Sequence, residues 1–127
     1  MNREKVIFAF FIVLALTLNF GFVLGDLDNP DHHDVYELFA ALVVSLVCTV
    51  LKFGDRTHLG ALMLATSLVA DVQLIIAAAF WGYGEQIAAM GMTPRVMAGV
   101  VSFAAGAAVA NLISVVLLVV ETALIRR

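Results

Sequence analysis

Four long, almost charge-free apolar stretches follow one another along this chain, separated by short polar segments. They cover residues 6–25, 36–53, 59–81 and 96–125. About 20 apolar residues, rising 1.5 Å each, cross the ~30 Å hydrocarbon core of a bilayer. Each stretch therefore predicts a transmembrane helix. Gly54 separates the second from the third, while Gly82, Gly84, Gly91 and Pro94 punctuate the next connection. Pro94 suits a helix start, because its missing N–H would have no intrahelical partner there. The expected fold class is all-α, an integral membrane four-helix bundle filling residues 1–127 as one transmembrane domain, without an internal repeat.

The first stretch has a rival reading. Arg3 and Lys5 precede it, and Val23 and Gly25 would suit a cleavage point, as in a secretory signal. Its apolar run exceeds the usual signal core, so a retained helix is expected.

Composition narrows the class further. Of 127 residues, 63% are hydrophobic and 13% charged, about half the charged share of an ordinary soluble domain. The lipid bilayer is thus the expected partner. A net charge of −3 argues against nucleic acid. The single cysteine, Cys48, provides no disulfide framework.

Basic residues set the direction of insertion. Arg3, Lys5, Lys52, Arg56, Arg126 and Arg127 fall on one side of the four spans, and Arg95 falls on the other. Both termini are expected in the cytoplasm. Asp26, Asp28, Asp31, Asp34, Glu37 and Glu85 then face outward, and Tyr36 and Trp81 fit the outer interface.

Ser102, Gly106, Ala110 and Ser114 recur every four residues in the last span, and Gly21 and Gly25 do so at the end of the first. Small residues at this spacing allow close helix approach, within one bundle or between subunits. One four-helix protomer leaves no room for an aqueous pore, so a channel would require a cyclic homo-oligomer.

Asp71 is the sharpest chemical feature, set near the middle of the third span. A central carboxylate costs at least ~2.5–3.5 kcal/mol on insertion scales, and such groups commonly mark ion or proton pathways. Ser67 lies one turn earlier, Gln73 is rotated away by two residues, and Asn111 sits at a comparable depth in the fourth span. Thr17 and Asn19 in the first span, with Ser45 and Thr49 in the second, would complete a polar layer. The competing reading is hydrogen bonding between helices alone. Lys52 is expected to snorkel and anchor the second span. Asp55 is expected to cap the third helix or pair with Arg56, and Glu121 to pair with Arg126 or Arg127, with lining the inner exit of a pathway as its alternative.

The outer loop, residues 26–37, gathers Asp26, Asp28, Asp31, His32, His33, Asp34 and Glu37. Counted from Asp26, carboxylates fall at positions one, three, nine and twelve of a calcium loop. Pro30 occupies a ligand position, however, and Asp31 replaces the glycine of the turn. Calcium or another divalent cation in a different geometry is the expected ligand, with zinc binding or histidine titration as alternatives. A solvated acidic hairpin turning at Asp28-Asn29-Pro30 is the plainer reading. Around a symmetry axis the loop would form an acidic ring.

No phosphate loop, Ser-His-Asp arrangement, zinc-protease helix, heme-type cysteine pair, arginine ladder or potassium filter is present, and no enzyme is expected. Leu18-Asn19-Phe20-Gly21-Phe22-Val23-Leu24-Gly25 resembles the asparagine-glycine helix of small bacterial fluoride channels, although the spacing and the one-sided charge bias differ. The layout of four short helices and one membrane carboxylate is similar to the small multidrug transporters, whose glutamate lies in the first helix instead. As a whole, and most clearly over residues 6–81, the chain resembles a family of short bacterial inner-membrane proteins of unassigned function. That resemblance implies the bacterial plasma membrane. The leading functional expectation is an oligomeric cation channel, with a proton-coupled small transporter and a non-transporting structural or sensory subunit as alternatives.

Overall fold

The computed structural model describes residues 3–25, 29, 31, 33–87 and 91–125. These form four α-helices and no strand: α1 Arg3–Val23, α2 Val35–Lys52, α3 His58–Gly82 and α4 Pro94–Ile125. A π-helical turn, Tyr83–Ile87, extends α3. All four helices are long and apolar enough to cross a membrane, which marks the chain as a membrane protein. Signals beside the helix starts explain where three of them begin. Asp34 accepts from the Tyr36 N–H at 2.9 Å before α2, and Thr57 accepts from the Gly60 N–H at 2.9 Å in α3. Thr93 accepts from the Val96 N–H at 3.2 Å, and Pro94 opens α4, two residues ahead of the apolar run. Each side chain satisfies an N–H that has no partner within its helix. Between α2 and α3 the chain reverses at Gly54, whose φ of +90° is open to glycine at little steric cost.

Each helix packs against the next, and α4 closes back onto α1, with α3 and α4 making the most extensive contact. The bundle is inverted relative to a soluble one. Phe10 is 61% exposed, Val43 59%, Val50 68% and Val119 62%, whereas Asn19, Ser45, Ser67, Asn111 and Ser114 are buried. Hydrocarbon is no worse a surrounding for valine or phenylalanine than a protein core. The bundle therefore gains by turning small and hydrogen-bonding groups inward, where helices approach and partners exist.

Two apolar clusters fill the interior. One holds Phe22, Leu38, Leu74, Met97, Val100 and Val101, with Trp81 packed on it. The other holds Phe8, Ile12, Cys48, Met63 and Leu118. Along α1 the inward order is Ile12, Ala15, Asn19, Phe22, so the asparagine lies where one cluster gives way to the other. Ser45 on α2, Ser67 on α3 and Asn111 with Ser114 on α4 occupy the same transition. All four helices thus contribute to one polar layer between two dry ones.

Candidate functional site

The layer is assembled from helical spacing. Residues four apart share a face, so Ser45 and Thr49 leave α2 together, and Ser67 and Asp71 leave α3 together. The two pairs meet at Asp71. Ser45 Oγ donates to Asp71 Oδ1 at 2.6 Å, and Thr49 Oγ1 donates to Oδ2. Thr49 Oγ1 also lies 3.2 Å from the Ser45 carbonyl. Asp71 is only 5% exposed, and among the described residues no Lys, Arg or His forms an ion pair with it. Two hydroxyls are its hydrogen-bond partners. They are strong donors to a carboxylate, but neither carries a positive charge that would balance an ionised Asp71.

Across the bundle, α1 and α4 are joined by Asn19 and Asn111. With the Asn19 amide turned to suit both ends, its nitrogen donates to the Ala104 carbonyl at 3.0 Å. Its oxygen accepts from Asn111 Nδ2 and from the Ala108 N–H, each at 3.2 Å. That contact occupies the Asn111 nitrogen and leaves its oxygen, Oδ1, buried without a hydrogen-bond partner; Ser67 Oγ is in the same condition. The level of these two atoms follows from their neighbours. Ser114 Oγ contacts Thr66 Oγ1 and lies 3.5 Å from the Met63 carbonyl. One turn on along each antiparallel helix stand Ser67, four after Met63, and Asn111, three before Ser114.

Other residues depart from expectation. The Gln73 side chain turns from Asp71 and lies over Gly106 of α4, where an added Cβ would stand 1.8 Å from Gln73 Oε1. Thr17 is exposed and donates to the Leu14 carbonyl of its own helix at 3.0 Å, outside the polar layer. Ser102 is exposed as well, so the small-residue stripe of α4 is inward only at its later members.

At the C-terminal end of α2, Lys52 is buried rather than snorkelled. Its ammonium sits 4.2 Å from the centroid of the Phe8 ring and 3.3 Å from Asp55 Oδ2. Both contacts favour the cation, which removes the need to reach water. Asp55 also accepts from the Thr57 N–H at 3.0 Å and from its hydroxyl at 2.8 Å. Partial burial pushes the Asp55 carboxyl up, but the Thr57 hydrogen bonds and Lys52 outweigh it and hold it below the ordinary carboxylate range. Glu121 pairs with Lys5 of α1; Arg126 and Arg127 lie outside the described residues. A bundle whose last helix returns beside its first makes that distant lysine a neighbour.

Of the outer-loop candidates, Asp26, Asp28 and His32 lie outside the described residues. Asp31 is exposed, and its N–H bonds the Asn29 side chain at 3.0 Å. Asp34 caps α2. His33 turns inward, its Nδ1 against the Phe22 carbonyl and its ring 5.4 Å from the Phe22 ring. Nδ1 must carry the proton there, since a carbonyl only accepts. Glu37 leans over Gly21 of α1, where a Cβ would stand 2.6 Å from its Oε2. No group of three His, Cys, Asp or Glu side chains among the described residues is placed to hold a metal ion.

The sequence pattern puts Asn19, Ser45, Thr49, Ser67 and Asn111 in one layer without pairing them. The matching four-residue spacings, Ser45 to Thr49 and Ser67 to Asp71, were the available signal. Lys5 and Phe8 carried none, since neither stands out from an ordinary helix start.

No curated protein sequence and no solved structure matches the chain. Residues 32–122, which contain Ser45, Thr49, Ser67, Asp71 and Asn111 but not Asn19, match the profile of a family of unknown function (DUF6394), and the chain belongs to that family.

Proposed function

We propose that this protein is a small membrane transporter that moves a cation through its own bundle, with Asp71 as the group that carries the ion. The supporting observation is a buried carboxylate whose hydrogen-bond partners are two hydroxyls, inside a layer contributed by four helices. A carboxylate kept only for helix adhesion would be better served by a neutral amide, which makes hydrogen bonds without the cost of a charge in hydrocarbon. Exchange of a proton or a metal cation at this group, opened in turn to each side, is the mechanism. Asp71 faces the inside of one protomer, which favours a route within each subunit over a pore on a subunit axis.

The basic bias supports an orientation with both termini in the cytoplasm, and Lys5 meeting Glu121 puts the described ends of α1 and α4 together. The test is cation flux into proteoliposomes. Wild type should transport, and Asp71→Asn, which keeps the shape but cannot exchange an ion, should not. Equal flux from both proteins would reject this role.

The oligomeric cation channel is the second reading, supported by one feature. A groove of about 700 Å³ runs between α1 and α4, lined by Leu16, Phe20, Gly21, Ala105, Ala108 and Val109, and its small residues would admit a neighbouring subunit. Asp71→Asn in a channel should alter ion selectivity while conduction persists.

A further inference from the structure

The polar layer holds more oxygen than its own hydrogen bonds use. Ser67 Oγ and Asn111 Oδ1 are fully buried, reached by no hydrogen-bond partner, and stand at one level between α3 and α4. Asp71 lies one turn from Ser67 on the same inward face, with Ser45 and Thr49 on its two carboxylate oxygens. A hydroxyl that donates to a carboxylate still has lone pairs to offer. An unsatisfied polar atom inside a bundle forfeits its hydration without a replacement, so two at one level call for an occupant that accepts their lone pairs.

We propose that this layer is a binding site for a small dehydrated monovalent cation of sodium size, held by Asp71, Ser67 and Asn111 with Ser45 and Thr49 beside the carboxylate. The inference deepens the transport reading by naming the ion. Three chemical facts set the class of ligand. Every donor is a hard oxygen, which selects alkali or alkaline-earth cations over zinc or copper. The layer has one carboxylate, so one positive charge balances it, whereas calcium sites usually draw several carboxylates into six to eight ligands. The surrounding positions are small and buried, Ala70, Ala107, Ala110 and Ser114 among them, a close-packed setting that suits a stripped ion rather than a hydrated one. Asn19 is a positioning residue. By holding Asn111 Nδ2 it commits that amide to presenting oxygen to the site.

The test uses the full chain purified in detergent at pH 8, with radioactive sodium binding and thermal unfolding followed in NaCl, KCl and choline chloride at equal ionic strength. Wild type should bind sodium and unfold at a higher temperature in NaCl than in choline chloride. Asp71→Asn should lose both effects. Ser67→Ala, a change small enough to fold, should weaken sodium binding at least ~10-fold, the scale on which metal sites respond to a lost supporting group. Thr66→Ala, which removes a hydroxyl directed at Ser114, should bind as wild type does. Identical behaviour in the three salts would overturn the site, as would unaltered sodium binding by a folded Ser67→Ala protein. Asp71-dependent proton flux without sodium preference would overturn the site and leave the transport reading standing. Sodium binding that Asp71→Asn abolishes, in a protein without flux, would support the site and remove transport.

Discussion

Two neighbouring parts of α2 show opposite solutions to one problem. At its C-terminal end, Lys52 is buried but meets Asp55 and the face of Phe8, and nearby Glu121 meets Lys5. Every buried charge there has its opposite. In the middle of the same helix, Ser45 and Thr49 hold Asp71 with hydroxyls alone. The first arrangement is explained by stability, since breaking a buried pair leaves an uncompensated charge. The second is not, because an amide in place of Asp71 would satisfy the same neighbours. An acidic group that the fold leaves without a counter-charge is what the proposed transport reading puts to use.

The largest expected effect breaks this contrast at its centre. Replacing Asp71 by Asn should reduce cation flux by ~100-fold or more, the scale on which a positioned proton-transfer group is felt. Thermal stability in choline chloride should hold or rise, because the uncompensated charge is gone. A strong loss of stability would make Asp71 a structural residue like those at the C-terminal end of α2. A reciprocal change there, Lys5→Ala, should cost about 1–2 kcal/mol by leaving Glu121 unpaired, less than the ~3–5 kcal/mol of a fully buried pair, since Lys5 is partly exposed. Unfolding in detergent measures it, and flux should change little.

Packing at the layer is tested by Gly106→Val. Its added carbons would enter the space of Gln73 Oε1, and overpacking of this kind costs about 1–3 kcal/mol. The expected reading is a lowered unfolding temperature that shortening the partner, Gln73→Ala, partly restores. The smallest effect concerns pH at the basic end. The folded Asp55 carboxyl lies below its unfolded value of ~3.9, so its ionised form adds stability at neutral pH. That contribution should fade as pH drops from about 4 through the lower folded value. Asp55→Asn should flatten this part of the stability profile and leave the neutral range nearly unchanged.

Sequence determined the topology. Runs of apolar residues long enough for a bilayer core, broken by the acidic segment 26–34, by Gly54 and by Gly91 with Pro94, leave the chain little choice but four long helices, because unpaired backbone is costly in lipid. It also marked the polar layer, since Asp71, Ser67 and Asn111 stand out against aliphatic surroundings. What it could not determine was which way each helix faces. α1, α3 and α4 are apolar almost all round, so no stripe separates an inward side from a lipid side. Only the closed bundle decided that Thr17 looks out while Asn19 looks in, that Gln73 rests on Gly106 rather than beside Asp71, and that Lys5 takes the Glu121 carboxylate. Those choices depend on contacts between residues up to 116 positions apart, which local pattern does not encode. Helix rotation in a membrane is set by small residues packing and polar groups finding partners across the bundle.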